Sequence, residues 1–292
     1  MKQTSGICLA IAMAIAATAL PVYGHAGSLP AALETTAGNS NIYIDGPELE
    51  ALAKNPKFKL IDIRSREHYV AGHITGAINL PVSRLDGRIG DLYSELLPAS
   101  EREAAFRNAG LSYDDIIVLY GDVWVGKSYI AFDQSGFDNV HILEGGIDRW
   151  NGNVSAITTP VTPSDFTLTR QKADIVDKAY VQSQIGKPDV FILDARPPEY
   201  FDAGAIPGSH NVPFDTYVRG ASLKPLEGLT KKLADLKVKK DSPIITTCGS
   251  GLAASDLLTV LHDLGYSNVK LYDGSWNEWE LAPKAPKQQS KG

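Results

Sequence analysis

Short uninterrupted apolar runs punctuate the chain, each ending in charged or glycine-rich text, and stretches of mixed polarity separate them. Residues 58–64 read Phe-Lys-Leu-Ile-Asp-Ile-Arg, 115–120 read Asp-Ile-Ile-Val-Leu-Tyr and 139–143 read Asn-Val-His-Ile-Leu. Runs this short, rich in branched residues and bounded by turns, predict buried strands of a parallel sheet. Asp45, followed by Gly46, Pro47 and Glu48, predicts a capped helix start. Residues 91–109 are expected to be mostly helical, and a further helix is expected from Ser128. Residues 72–81, Gly-His-Ile-Thr-Gly-Ala-Ile-Asn-Leu-Pro, predict a turn leading into another short strand.

The pattern then starts again. Asp177 answers Asp45, Asp194-Ala195-Arg196 answers Asp62-Ile63-Arg64, and Ile206 answers Ile74, all at one offset (194 − 62 = 132). Trp279 answers Trp150 at a slightly shorter offset (279 − 150 = 129), with Asp273-Gly274-Ser275 answering Glu144-Gly145-Gly146. A whole domain is therefore duplicated. Alternation of strand and helix makes each copy α/β, a parallel sheet flanked by helices. Residues 151–168, rich in Asn, Thr, Ser and Pro, read as the linker. The expected organisation is an N-terminal domain over 27–150, the linker, a C-terminal domain over 169–283 and a basic tail over 284–292.

The chemistry concentrates in the second copy. Residues 244–247, Ile-Ile-Thr-Thr, run as a strand into Cys248, a small glycine-rich stretch continues through Gly249, Ser250, Gly251, Leu252, Ala253 and Ala254, and a helix-like run follows from Ser255. Two glycines let the loop curl so that successive N–H groups converge on the sulfur, backed by the positive end of the helix. Such a cradle is expected to lower the thiol's pKa and to hold a charged sulfur adduct. Small buried cysteines are common in cores, but a core cysteine needs no flanking glycines at a strand-to-helix turn. In the first copy the equivalent position falls at Gly121 or Asp122, so that copy has no thiol. One working site near the domain interface is expected.

Composition changes this picture in three places. The 292 residues are enough for two domains, 43% of them are hydrophobic, and a net charge of −6 without long blocks of either sign argues against nucleic acid or an anionic membrane surface as partner. Met1-Lys2 and an apolar run from Ile7 to Leu20, followed by small residues near Gly24 and Ala26, predict a signal peptide over 1–26. The mature protein is then expected in the periplasm or outside the cell, with no membrane attachment after cleavage. Of the 2 cysteines, Cys8 leaves with that peptide. Cys248 remains alone, with no disulfide partner, in an oxidising compartment where an idle thiol is a liability.

Taken together, these residues resemble the tandem-domain rhodanese family of sulfurtransferases. Residues 269–279, Val-Lys-Leu-Tyr-Asp-Gly-Ser-Trp-Asn-Glu-Trp, are similar to the family's C-terminal signature, and 69–80 to its N-terminal one, with Thr75 where proline is usual. The resemblance implies two tandem rhodanese-like domains and a catalytic Cys248. That cysteine takes a sulfane sulfur from thiosulfate or 3-mercaptopyruvate, becomes a persulfide and passes the sulfur to cyanide, a thiol or another thiophilic acceptor. It also implies that the amides of Gly249, Ser250, Gly251, Leu252, Ala253 and Ala254 hold the sulfur, with no cofactor and no metal. A thiol reductant or a sulfur-accepting protein is an expected partner. The Cys-Gly-Ser-Gly text is similar to the mercaptopyruvate-using branch. The departures lie around the donor: after Arg196 the chain reads Pro197-Pro198-Glu199-Tyr200, where the family carries a further arginine, and Glu95 stands where it carries a histidine ahead of a Leu-Pro pair. Arg196 is a donor-binding candidate, and its other reading is an ion pair with Asp194 or Glu199. Arg84, Arg219 and Lys127 are further candidate cations, or else solvated surface residues.

Other thiol chemistries fit less well. A phosphatase loop needs an arginine six positions after the cysteine, and that position is Ala254. None of the histidines sits in a protease-like signature. A sulfur or metalloid carrier that binds at Cys248 without turning over is the reading from another class, favoured by the missing donor-gripping arginine. Trp124 and Trp276 are candidates for the pocket wall or for the core.

Overall fold

Strand order displays the duplication directly. In the computed structural model, which describes residues 42–121 and 123–281, the first sheet contains β1 (Tyr43–Ile44), β2 (Phe58–Asp62), β3 (Ile78–Asn79), β4 (Ile116–Tyr120) and β5 (Val140–Leu143). The second contains β6 (Ile175–Val176), β7 (Phe191–Asp194), β8 (Ser209–Asn211), β9 (Ile244–Thr247) and β10 (Val269–Tyr272). Their orders are β1-β5-β4-β2-β3 and β6-β10-β9-β7-β8, the same path traced twice, and every pairing within them is parallel. The expected signal peptide, the segment leading to Asn41, Asp122 and the tail from Lys284 lie outside the described residues.

Both faces of each sheet are covered, and the sequence of β4 shows how. Ile117 and Leu119 enter one core cluster while Val118 and Tyr120 enter another on the opposite face, as a period of two requires. In β9, Ile244 and Ile245 divide in the same way. The larger cluster runs without a break from Ile61 and Phe132 in the first domain to Leu193 and Leu257 in the second. An apolar core therefore joins the two domains into one compact unit.

Two buried helices make that junction. In α1 (Val125–Gln134) all ten residues are buried, and α2 (Leu252–Asp263) buries eight in succession from Ala254 to Leu261. Helices covered on every side lie inside a core, and the polar residues they carry there, Lys127 in α1 and Asp256 in α2, are buried with them. Gly126 permits the close approach: a Cβ there would lie 2.7 Å from the Asp256 Cα. Its N–H donates to Asp256 Oδ1 at 2.8 Å.

Three expectations need correction. Residues 91–109 are helical only in their second part: Asp86–Ile89 and Leu92–Leu96 form an antiparallel hairpin, and the helix covers Ala99–Asn108. Pro98 marks the boundary, since a proline is accepted at a helix start and not inside one. The helix expected from Ser128 begins at Val125. Within the linker text, Val154–Ser155 pairs antiparallel with His73–Ile74 of the first domain, and residues 156–174 carry no helix or strand. The expected helix start is present, with Asp45 accepting from the Glu48 N–H and Glu48 accepting from the Asp45 N–H.

Candidate active site

β9, with all four residues buried, delivers Cys248 to the carboxyl end of the second sheet, where parallel α/β folds form their sites. The loop is shorter than its text suggests. α2 opens at Leu252, so Leu252, Ala253 and Ala254 are its first turn and the loop proper is 248–251. The two glycines are not equivalent. Gly251 has φ +86°, and a Cβ there would meet Asp273 Oδ1 at 2.5 Å and its carbonyl oxygen at 2.7 Å. Gly249 has open space around the same position and no left-handed φ.

The C-terminal helix Ser275–Leu281 sets the loop's orientation. Its first N–H groups, which have no partner within a helix, donate to the loop: Trp276 to the Cys248 carbonyl and Asn277 to the Gly249 carbonyl, each at 3.0 Å. The Cys248 N–H donates to Ser275 Oγ at 3.0 Å, and that hydroxyl donates to the Tyr272 carbonyl at 2.8 Å. Ser275 itself holds φ +49°, a left-handed conformation for a residue with a Cβ. With the carbonyls held on that side, the amides are free to face the sulfur. The Gly251 N–H donates to Cys248 Sγ at 3.1 Å, and the Ala254 and Ser250 amides also act on it.

The cradle is present, yet the expected lowering of the thiol's pKa is not. Burial pushes the Cys248 thiol above its ordinary value, and the Asp194 carboxylate adds to the rise, while the amides of Ala254, Ser250 and Gly251 oppose it. Cys248 is only 3% exposed. Loss of water around the anion outweighs three amides, an effect that glycine spacing in a sequence cannot reveal.

Cys248, Gly249, Ser250, Leu252 and Ala253 line a cavity of about 590 Å³, and Arg196 contributes to its wall. Gly251 and Ala254 lie behind this wall, acting on the sulfur through their amides. Trp276 and Tyr200 of the second domain also line it, as does Trp124 of the first. The cavity thus lies at the domain interface. Trp124 stacks on Phe214 with ring centres 5.5 Å apart, and the Arg196 guanidinium lies 4.4 Å over the Trp276 ring.

Arg196 is held by its own strand. Its Nε and Nη2 donate to both carboxylate oxygens of Asp194, Nη2 also donates to the Gly204 carbonyl, and Nη1 to the Tyr200 carbonyl. The cysteine-free copy repeats this arrangement: Arg64 donates to both oxygens of Asp62 and to the Gly72 carbonyl. Asn79 and Asn211 brace the two turns alike. The geometry therefore forms without a thiol beside it. In that copy Gly121 follows β4, and a Cβ there would lie 2.3 Å from an Ile63 side-chain carbon, so the position has no room for a cysteine.

Sequence reading missed the polar group beneath the loop. Lys127, completely buried rather than solvated, pairs with Asp273 Oδ1 and lies 3.5 Å from Asp86 Oδ2. Asp273 Oδ2 accepts from the Leu96 N–H at 2.9 Å. The first domain thus grips the residue against which Gly251 packs. Burial raises Glu95 to about 7 and Asp86 to about 6, with Asp273 adding to both and Lys127 opposing. The sequence marked Lys127 as a candidate cation, Asp273 as part of a signature and Glu95 as a departure, and nothing in it showed that the three come together. Arg84 and Arg219 are exposed and are not part of the cavity wall.

The rhodanese-like domain profile matches the chain twice, over residues 46–153 and 177–282. The chain belongs to the rhodanese-like family. The 3-mercaptopyruvate sulfurtransferase of Escherichia coli K12 is 30% identical to it over 270 residues, covering 85% of this chain and 95% of the relative. The thiosulfate sulfurtransferase of Pseudomonas aeruginosa is 27% identical over 260 residues, covering 84% and 96%. Among solved structures, that of SseA from Escherichia coli superposes with a TM-score of 0.73 at 26% identity, covering 81% of this chain and 99% of that one. The expected tandem α/β fold is thus present, and this rhodanese-like protein is a sulfurtransferase.

Proposed function

We propose that Cys248 is the sulfur-carrying residue. Its thiolate attacks the outer sulfur of thiosulfate or the sulfur of 3-mercaptopyruvate, releases sulfite or pyruvate, and is left as a persulfide. A thiophilic acceptor, such as cyanide or a thiol, then attacks the outer sulfur and frees the thiolate. The observation that carries this reading is a thiol, the only one among the described residues, that faces three backbone amides and lines a cavity. Those amides favour a negative charge on sulfur at either stage. The relatives named for thiosulfate and for 3-mercaptopyruvate support both donors. The first domain supplies Trp124 and the grip on Asp273, and no thiol of its own.

The predicted signal peptide supports an exported enzyme, so a thiol reductant or a sulfur-accepting protein in the same compartment completes the cycle. Double displacement is tested by steady-state kinetics. Parallel lines in double-reciprocal plots against donor at several acceptor concentrations support the mechanism, and intersecting lines reject it.

A further inference from the structure

Both sulfur donors have the same two parts: a sulfur that must reach Cys248, and an anionic end that must lie elsewhere in the cavity. That end is the –SO3 group of thiosulfate or the carboxylate of 3-mercaptopyruvate. The amides of Gly251, Ser250 and Ala254 already act on the cysteine sulfur. The anionic end therefore needs other hydrogen-bond donors on the wall.

Arg196 supplies only part of them. Of the five N–H groups of a guanidinium, Nε serves Asp194, the two on Nη2 serve Asp194 and the Gly204 carbonyl, and one on Nη1 serves the Tyr200 carbonyl, which leaves one on Nη1. A fork with one prong left attracts an anion but cannot hold it bidentately. A second donor must come from another side chain.

Asn277 is placed to be that donor. Its backbone N–H donates to the Gly249 carbonyl at 3.0 Å, next to the bond from the Trp276 N–H to the Cys248 carbonyl, so the residue is pinned to the loop that carries the thiol. The neighbouring Trp276 ring lies 4.4 Å from the Arg196 guanidinium, and Asn277, Arg196 and Cys248 line the same cavity. Asn277 is partly buried, and its side-chain amide makes no hydrogen bond among the described residues. An amide carries two N–H groups, whereas the hydroxyls of Ser250 and Tyr200 on this wall carry one each.

We infer that the side-chain amide of Asn277 binds the anionic end of the sulfur donor, completing the grip that Arg196 begins; this rests on the persulfide reading above. The amide is neutral and selects by the direction of its N–H groups, which suits a carboxylate and an –SO3 group alike. In either reaction the leaving group takes the electron pair of the broken bond, as sulfite or as a pyruvate enolate that gains a proton from water. Asn277 stays bonded to its anionic oxygens and exchanges no proton with it.

The test compares the mature protein with Asn277→Ala and with Asn277→Asp, which keeps the shape and loses the N–H groups. Iodoacetate carries a carboxylate beside the carbon that alkylates Cys248, and iodoacetamide is its neutral counterpart. Both rates are followed by intact mass, as is sulfur gain from thiosulfate and from 3-mercaptopyruvate. In both variants the iodoacetate-to-iodoacetamide ratio should fall about tenfold, the lower end of what one hydrogen bond to a charged group contributes, and loading from both donors should fall by a similar factor. The iodoacetamide rate should stay within about twofold of the parent, which shows that the loop and the thiol are intact. An unchanged ratio, or an equal fall for both alkylating agents, overturns this inference, and the persulfide reading stands as long as the parent gains a sulfur that cyanide removes. A parent that gains no such sulfur overturns the persulfide reading, and this inference with it.

Discussion

Replacing Gly251 by alanine tests the link between backbone conformation and the sulfur cradle. The left-handed backbone at this position costs a residue with a Cβ about 1–2 kcal/mol. The new methyl would also lie 2.5 Å from Asp273 Oδ1 and 2.7 Å from its carbonyl oxygen, and the Lys127 pair and the Leu96 N–H prevent that side chain from yielding. Overpacking of this kind costs about 1–3 kcal/mol. The expected loss is therefore about 2–5 kcal/mol in urea unfolding. Sulfur loading should fall as well, because the Gly251 N–H moves away from Sγ and a shift of about 1 Å costs on the order of a hundredfold in rate. Gly249→Ala is the control. It meets open space without a left-handed φ, and should change stability by less than about 1 kcal/mol. Equal stability and equal loading in the two variants would refute the account of the loop.

Three further outcomes follow from the same geometry. Arg64→Lys and Arg196→Lys should each lose about 1–3 kcal/mol in denaturant titration, since each breaks a bidentate ion pair and a bond to a carbonyl; a loss confined to Arg196→Lys would show that the two copies differ in role. Glu95 is raised from 4.5 to about 7 by burial, so the folded state holds more protons than the unfolded one between those values and stability falls as pH rises through them. Glu95→Gln should thus match the parent near pH 4 and exceed it by about 1–3 kcal/mol near pH 8, and equal melting at both pH values would contradict the raised pKa. Alkylation of Cys248 by iodoacetamide should keep rising with pH beyond the point where an ordinary thiol levels off, because burial raises this one; a rate already level near neutrality would contradict that direction.

The fold was largely legible because its signals are local and repeated. The apolar run at 116–120 and the Ile-Ile-Thr-Thr run at 244–247 have the length and branched residues of buried strands, and the offset that maps Asp62-Ile63-Arg64 onto Asp194-Ala195-Arg196 announces the second sheet. The strand-to-helix turn at Cys248 was legible from local text alone, two glycines just after the cysteine, since the first copy has no thiol to repeat it. The hairpin at 86–96 was not, since its register is set by pairing across the chain rather than by its own text. Nor was the thiol's direction of shift, which depends on how much protein covers the sulfur. Lys127 read as a surface cation because its partners lie far from it in sequence: Asp86 reaches it only when the first domain folds, and Asp273 only when the domains pack. Ser275 read as part of a signature, while its hydroxyl in fact links the Cys248 amide to the end of β10.

The central claim is that sulfur travels on Cys248. Intact-mass spectrometry of the mature protein and of Cys248→Ser, after thiosulfate, after 3-mercaptopyruvate and again after cyanide, tests it most directly. The account requires a gain of one sulfur in the parent, removed by cyanide, and no gain in the variant. An adduct that persists in Cys248→Ser, or none in the parent with either donor, would contradict it.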